Sequence, residues 1–310
     1  MDGILNILKP PGMTSHDVVS FVRRQSGLKK VGHSGTLDPG ACGVLVVCLG
    51  RATRSIRFLS ANDKTYRAEV TFGLATDTQD AYGKITSRDD ASSLSAEDIL
   101  AALNSLEGRQ MQVPPMVSAV KQGGKKLYEI ARQGLEVERE PRAIEVYSIR
   151  PVRLTGLGTS NPRALFDVHC SKGTYVRTLC HEVGSRLGKG GYLSFLLRTS
   201  VGSFDLQSSL TLEEVRFLAA RGRLKQKLIG VNEALAFLPG VVIKPSARAA
   251  VLSGRRLFAA GVASMPEKLQ GFVRLMDDGG LLAVAECCET EPVSFRPVWV
   301  WARQDDGEAP

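Results

Sequence analysis

The stretch Gly32-His33-Ser34-Gly35-Thr36-Leu37-Asp38-Pro39-Gly40-Ala41-Cys42-Gly43 runs straight into the apolar series Val44-Leu45-Val46-Val47-Cys48-Leu49. Glycines at 32, 35, 40 and 43 mark a loop that must bend sharply, and the unbroken apolar run reads as a buried strand from Cys42 to Leu49. The glycine spacing fits neither G-x-G-x-x-G nor G-x-x-x-x-G-K-[ST], so a nucleotide-binding fold is not indicated. What remains is Asp38, set between Leu37 and Pro39 in a loop stiffened by the proline. Residue types alone allow a turn aspartate, an acid or a nucleophile at that place.

Outward from this loop, the pattern is one of strands mixed with helices. Ile4 to Leu8 reads as a short strand closed by the turn Lys9-Pro10-Pro11-Gly12, and Thr14 with Asp17 forms a capping box that opens a helix to about Gln25. Tyr66, Ala68, Val70 and Phe72 alternate with Arg67, Glu69 and Thr71, the signature of a half-buried strand. Ser95 with Asp98 and Thr211 with Glu214 open two further helices; Ala164 to Cys170 reads as a strand followed by a helix over Thr174 to Leu187. Strict βαβ alternation is absent, which points to α+β: a mixed, largely antiparallel central sheet flanked by helices.

The character shifts at Pro239-Gly240. Beyond it, strand-like runs at Val241 to Ile243, Phe272 to Leu275, Leu281 to Ala285 and Arg296 to Trp301 accompany one short helix near Ser246 to Leu252. The expected organisation is a catalytic-sized domain over 1–238, a small β domain over 240–303 and a disordered tail over 304–310. That division suits a chain of 310 residues, because one core usually stops growing near ~250–300 residues. A basic, glycine-containing segment from Lys121 to Pro141, with a short amphipathic helix near Leu127 to Arg132, reads as an arm projecting from the larger domain.

Charge narrows the class of partner. Val241 onward carries 8 Lys/Arg against 9 Asp/Glu, which leaves 32 against 23 in the first 240 residues. An excess of base concentrated there fits a polyanion as well as a solvated surface. The longest apolar run, Cys42 to Leu49, is far short of the ~20 residues of a membrane-spanning helix, and the start Met1-Asp2-Gly3-Ile4 has no basic region leading into an apolar stretch. A cytoplasmic protein is expected. His169-Cys170 and Cys180-His181 do not make a zinc site, because adjacent residues diverge on a strand or a helix and each pair supplies about one ligand.

The loop Gly32 to Gly43 resembles the signature of the TruB family, the bacterial tRNA pseudouridine-55 synthases. Further blocks resemble the same family in the same order: Lys9-Pro10-Pro11-Gly12-Met13-Thr14-Ser15, Lys64-Thr65-Tyr66-Arg67, Thr76-Asp77-Thr78-Gln79-Asp80-Ala81, Pro114 to Lys121, Gly124 to Tyr128, and Lys172-Gly173-Thr174-Tyr175-Val176-Arg177. The resemblance spans about residues 3 to 240, and the end of the chain resembles the small RNA-binding PUA domain, a β pseudo-barrel. Departures are Ser34 where the family often has Thr, Tyr82 where it often has Asp, and Leu197 where it often has Arg. None removes a group assigned to chemistry; the last two bear on the grip on RNA.

The resemblance implies an isomerase that breaks the N1–C1′ bond of a flipped uridine, turns the base and rejoins it through C5. It makes Asp38 the nucleophile, whether at the sugar, at uracil C6 or in drawing a proton from C2′, with Arg177 holding it charged. It places Tyr66 as the stacking platform and Tyr175 as a nearby hydrogen-bonding group. Leu196 becomes an apolar wall, and His33 the ring that enters the RNA loop. Lys9, Lys64, Lys121 and Arg198 are expected to contact phosphates or to shape the site. Substrate and product are isomers, so no cofactor and no metal are implied. The expected partner is the T-arm stem-loop of tRNA, bound by a monomer without a guide RNA or an obligatory protein partner. Two other readings stand beside it: a guide-RNA-dependent relative, against which the Lys121 to Pro141 arm argues, and a non-catalytic tRNA-binding or folding protein, against which Asp38, Tyr66 and Arg177 together argue.

Overall fold

The computed structural model describes residues 1–302 apart from 119, 123, 132, 136 and 289–292, and all side chains within that range but those of 121, 122, 125, 126, 128 and 131. The tail expected at 304–310 and the side chain of Lys121 therefore lie outside the described residues.

Strand Cys42–Leu49 organises the molecule because alternate residues enter two different cores. Val44, Val46 and Cys48 join a cluster with Ile4, Phe58 and Leu59, while Leu45, Val47 and Leu49 join one with Leu5, Ile7 and the helix residues Val18, Val19 and Val22. Burial on both faces explains why its sequence is continuously apolar. The main sheet runs in the order Gly3–Lys9, Cys42–Leu49, Gly191–Val201, Lys64–Phe72, Arg163–Cys170, Arg142–Thr155, Gly108–Gln112. Each of these neighbouring pairs is antiparallel except Cys42–Leu49 with Gly191–Val201, which run parallel. The fold is α+β with a mixed, largely antiparallel sheet, as expected. Leu179 and Val183 of helix Val176–Arg186, with Ile99 and Leu103 of helix Ala96–Asn104, cover the inner face over Ala68, Val70, Phe166 and Val168.

All three expected capping boxes form, at Thr14 with Asp17, Ser95 with Asp98 and Thr211 with Glu214. Each satisfies backbone donors that a helix start leaves free. Two close approaches then fix the site's frame. A Cβ on Gly184 would stand 2.2 Å from the backbone nitrogen of Gly191, so helix Val176–Arg186 presses directly on the start of strand Gly191–Val201. Gly43, at φ +112°, would meet the carbonyl oxygen of Arg198 at 2.2 Å, so that only glycine permits the parallel pairing there.

The second sheet begins at Gly240 and has the order Leu257–Phe258, Ser294–Val300, Gly280–Cys288, Phe272–Asp277, Gly240–Ile243, Val262–Ser264. Its two edge strands are joined by the single turn Ala259–Gly261, which requires the sheet to curl until its edges nearly meet. This barrel-like sheet is not a loosely tethered appendage. Leu281, Val284 and Trp299 lie in one apolar cluster with Ile4, Val44, Val46 and Phe58 of the main body. Phe58 stacks on Trp299 at 6.2 Å and meets Phe272 edge-on at 5.0 Å, and Arg57 Nη2 donates to the Val298 carbonyl at 2.9 Å. Burial of that extent couples the two sheets in unfolding. Trp299→Ala should cost about 3–5 kcal/mol in denaturant unfolding, the usual range for deleting a large buried aromatic, within one cooperative transition for both sheets. Two separated transitions in the unmodified protein would show that the cluster does not couple them.

Candidate active site

Asp38 is reached through a loop whose backbone is held from behind by buried side chains. Ser15 Oγ, on the first helical residue after Thr14, accepts from the Leu37 N–H at 2.8 Å and donates to the Leu37 carbonyl at 3.0 Å, so both peptide groups of the residue before Asp38 are occupied. Arg198 Nη2 and Nη1 donate to the carbonyls of Gly35 and Thr36, and its Nε to that of Val44. Lys9 Nζ donates to the carbonyls of Pro10, Pro39 and Ala41, at 2.6 Å in the last case. Lys9 and Arg198 are fully buried, with their donors on loop carbonyls. Held in this way, they shape the loop. Lys64 is similarly placed: it is buried and donates to the carbonyls of Ser60 and Asn62.

The opposite wall comes from helix Val176–Arg186. Its N-cap residue, Tyr175, has no capping side chain of its own. Gln112, 2% exposed on the edge strand, supplies both contacts instead: its Oε1 accepts the Tyr175 N–H at 2.8 Å and its Nε2 donates to the Tyr175 carbonyl at 3.2 Å. Two residues on, Arg177 is buried at 4% exposure and extends all its edges. Nε meets Asp38 Oδ2 at 3.0 Å, Nη1 meets Asp80 Oδ2 at 3.4 Å and the Thr78 carbonyl at 3.2 Å, and Nη2 donates to the Val117 carbonyl at 2.8 Å. A guanidinium held on every side is a rigid aiming device. Asp80 is steadied in turn by the Thr78 hydroxyl at 2.6 Å and the Tyr82 N–H at 3.0 Å.

Between these walls lies a cavity of about 460 Å³ lined by Asp38, Arg177, His33, Tyr66, Tyr175 and Leu196, among others. The structure thus brings together the six residues that the sequence resemblance singles out most specifically. Tyr66 and Leu196 are buried at 8% and 9% exposure, on adjacent strands paired through Ala68 and Arg198. Leu197, the departure from the usual arginine, does not line the cavity, whereas its neighbours Leu196 and Arg198 do. Tyr82, the other departure, packs its ring against Gly40 at the edge of the loop.

Electrostatics follow from this burial. The Asp38 carboxyl is pushed above the ordinary carboxylate range, first by burial and with Asp80 adding to it, while Arg177, Lys9 and Arg198 pull it down. Its side chain keeps 40% of its exposure at the junction of two open clefts, yet the surrounding protein makes desolvation the largest effect on it. Burial, then Arg198, hold the His33 imidazole below its ordinary value, which leaves the ring neutral near pH 7 and suited to stacking. Burial lowers Lys9 and Lys64 to about 8 each.

Sequence reasoning assigned no role to Ser15, Asp80 or Gln112. Ser15 and Asp80 stand inside stretches whose pattern was recognised, so their signal was positional. Gln112 carried none, because a glutamine on a polar edge strand looks like any solvated residue.

Comparison with known proteins places this geometry. A family model described as TruB family pseudouridylate synthase (N terminal domain) matches residues 23–176, and one described as tRNA pseudouridylate synthase B C-terminal domain matches residues 177–236. The chain is 53% identical to a tRNA pseudouridine synthase B of Pelotomaculum thermopropionicum over 98% of both chains, and 53% identical to one of Symbiobacterium thermophilum over 82% of both. Among solved structures it is similar to a Cbf5-Nop10-Gar1 complex, with TM-score 0.78 and 29% identity over 98% of this chain and 86% of that one. An H/ACA RNP bound to a substrate RNA containing 2′-deoxyuridine gives TM-score 0.76 and 26% identity over the same shares.

The lysines give a test of the site's electrostatics by themselves. A lysine whose folded pKa is depressed binds fewer protons folded than unfolded between the two values, so stability should rise with pH from about 8, where the folded groups titrate, to 10.5, the ordinary lysine value. Lys9→Met should remove its share of that rise, measured by urea unfolding at pH 8 and pH 10. An unchanged rise would show that Lys9 is not charged and buried below pH 8.

Proposed function

The chain belongs to the TruB family of pseudouridylate synthases, and on that premise we propose that it converts one uridine of the tRNA T-arm, position 55, to pseudouridine. The observation that carries the reading is the Asp38 carboxylate fixed at 3.0 Å from a buried Arg177 in the wall of a base-sized cavity with Tyr66, Tyr175 and Leu196. A uracil drawn out of its stack loses a few kcal/mol, which an aromatic face such as Tyr66 offsets in part, at roughly 1–3 kcal/mol per stacked base. His33, neutral and lining the same cavity, suits the place the flipped base leaves. Asp38 reacts as the carboxylate that Arg177 maintains; the N1–C1′ bond breaks, C5 bonds to C1′, the C5 hydrogen leaves as a proton and N1 takes one up. The sum is an isomerisation, so no cofactor or metal is called for.

The finer assignments belong to the same proposal. Residues 1–238 carry the catalysis, and 240–303 form a PUA-like domain that adds to the RNA grip. The enzyme works as a monomer in the cytoplasm, on tRNA alone. Similarity to the Cbf5 structures supports a guide-dependent relative less well, because it rests on 26–29% identity, against 53% over nearly the full length for relatives named tRNA pseudouridine synthase B.

The test follows the hydrogen at C5. tRNA tritiated at uridine C5 should release one label to water per turnover from a single T-arm position, with no guide RNA, metal or nucleotide added. Asp38→Asn should slow release by about 10³-fold or more while tRNA affinity stays within a few-fold, since phosphate contacts dominate binding. No release by folded wild-type protein would remove the enzymatic reading, and near-wild-type release by the Asn variant would remove Asp38 from the mechanism.

A further inference from the structure

Several polar side chains of the cavity are committed to the protein itself. Arg177, Arg198 and Lys64 spend their donors on carbonyls and carboxylates, His33 Nδ1 accepts from the Gly35 N–H at 3.3 Å, and the hydroxyls of Ser60 and Thr174 donate to the Ile56 and Ser171 carbonyls. A uracil brings three in-plane polar groups, O2, N3–H and O4, that must find partners once the base leaves water. Of the buried side-chain polar atoms without a partner among the described residues, Ser118 Oγ alone belongs to a residue lining this cavity. Ser118 is 6% exposed, and an orphaned buried hydroxyl is costly enough to require an explanation. Its position is also fixed with respect to the chemistry. The carbonyl of the preceding residue, Val117, takes Arg177 Nη2 at 2.8 Å, and the Ser118 N–H donates to the Met116 carbonyl at 3.0 Å. The hydroxyl therefore stands one residue from a ligand of the guanidinium that aims Asp38.

We propose that Ser118 is a substrate-binding residue whose hydroxyl donates to a carbonyl oxygen, O2 or O4, of the flipped uracil and helps to hold the ring's orientation over Asp38. The inference rests on the proposed reaction. Serine suits the task because its hydroxyl can rotate about Cα–Cβ to meet an acceptor, and the short side chain loses little freedom on binding.

Thionation of the target base makes the test specific, because sulfur is a much poorer acceptor than oxygen. Substrate tRNAs carrying uridine, 2-thiouridine or 4-thiouridine at the target position are turned over by wild type, Ser118→Ala and Ser118→Thr, with conversion read by chromatography of the digested nucleosides. Ser118→Ala should lower kcat/KM for ordinary uridine roughly tenfold, the worth of one neutral hydrogen bond, and Ser118→Thr should restore most of it. One of the two thio substitutions should impair wild type by a similar factor and cost Ser118→Ala almost nothing further, since the bond is already gone. Equal thio penalties in wild type and Ser118→Ala would overturn the proposal, as would an Ala variant as fast as wild type. A Thr variant as slow as the Ala variant, with both keeping the wild-type melting temperature, would assign the loss to shape and overturn it too. Wild type inactive on ordinary uridine would instead overturn the reaction itself, and this inference with it.

Discussion

One buried guanidinium carries the arrangement. Arg177 lies between two carboxylates, Asp38 and Asp80, and two carbonyls, those of Thr78 and Val117. A charge taken out of water is tolerated only when its hydrogen bonds are replaced nearly one for one, and here each edge of the group has a partner. The same contacts tie three separate stretches of chain to one helix end: the Asp38 loop, the turn at 76–83 and the segment at 117–118. Asp38 gains from this a fixed direction and an opposite charge that resists the desolvation of its own carboxyl. The rest of the fold can be understood as what keeps Arg177 in place. Gln112 holds the start of its helix, Gly184 lets that helix press on strand Gly191–Val201, and the cluster around Val44 and Phe58 holds the sheet rigid beneath the loop.

The basic residues near the site divide by where their charge points. Lys9, Lys64 and Arg198 were grouped in sequence as phosphate contacts or shapers of the site, and the structure turns all three toward main-chain carbonyls. Loop geometry is their visible work. The cost is seen in the lowered pKa of both lysines, which burial disfavours in their charged form.

Much of this was legible in the residues. The continuous apolar run at Cys42–Leu49 announced a strand buried on both faces, and the three capping boxes located helix starts to the residue, because both features follow from local chemistry. The six residues lining the cavity were legible only through collinear blocks; alternation alone would place Tyr66 in an ordinary core. Two long strands were not read. In Gly191–Val201 register shifts between Leu193 and Phe195 and between Arg198 and Ser200 break the period of two, and Arg142–Thr155 is interrupted by shifts near Val146 and Pro151 and is largely exposed. Gln112 escaped for a different reason, since its partner Tyr175 is 63 positions away, while Ser118 stands in a recognised stretch and is singled out only by its unpartnered hydroxyl. The small β domain was foreseen, but not its shared core with the main body, since Phe58 and Trp299 are 241 positions apart and no local pattern links them.

Asp38 is desolvated by its surroundings, and Arg177 is the main influence that favours its ionised form. Its carboxyl can be followed directly by ¹³C NMR of selectively labelled aspartate, assigned by comparison with Asp38→Asn, in the wild-type protein and in Arg177→Met. A wild-type pKa above the ordinary aspartate value is expected, with a further upward displacement in Arg177→Met, where burial and Asp80 act without their main counterweight. A wild-type value at or below that of a free aspartate, or no displacement when the guanidinium is removed, would contradict it.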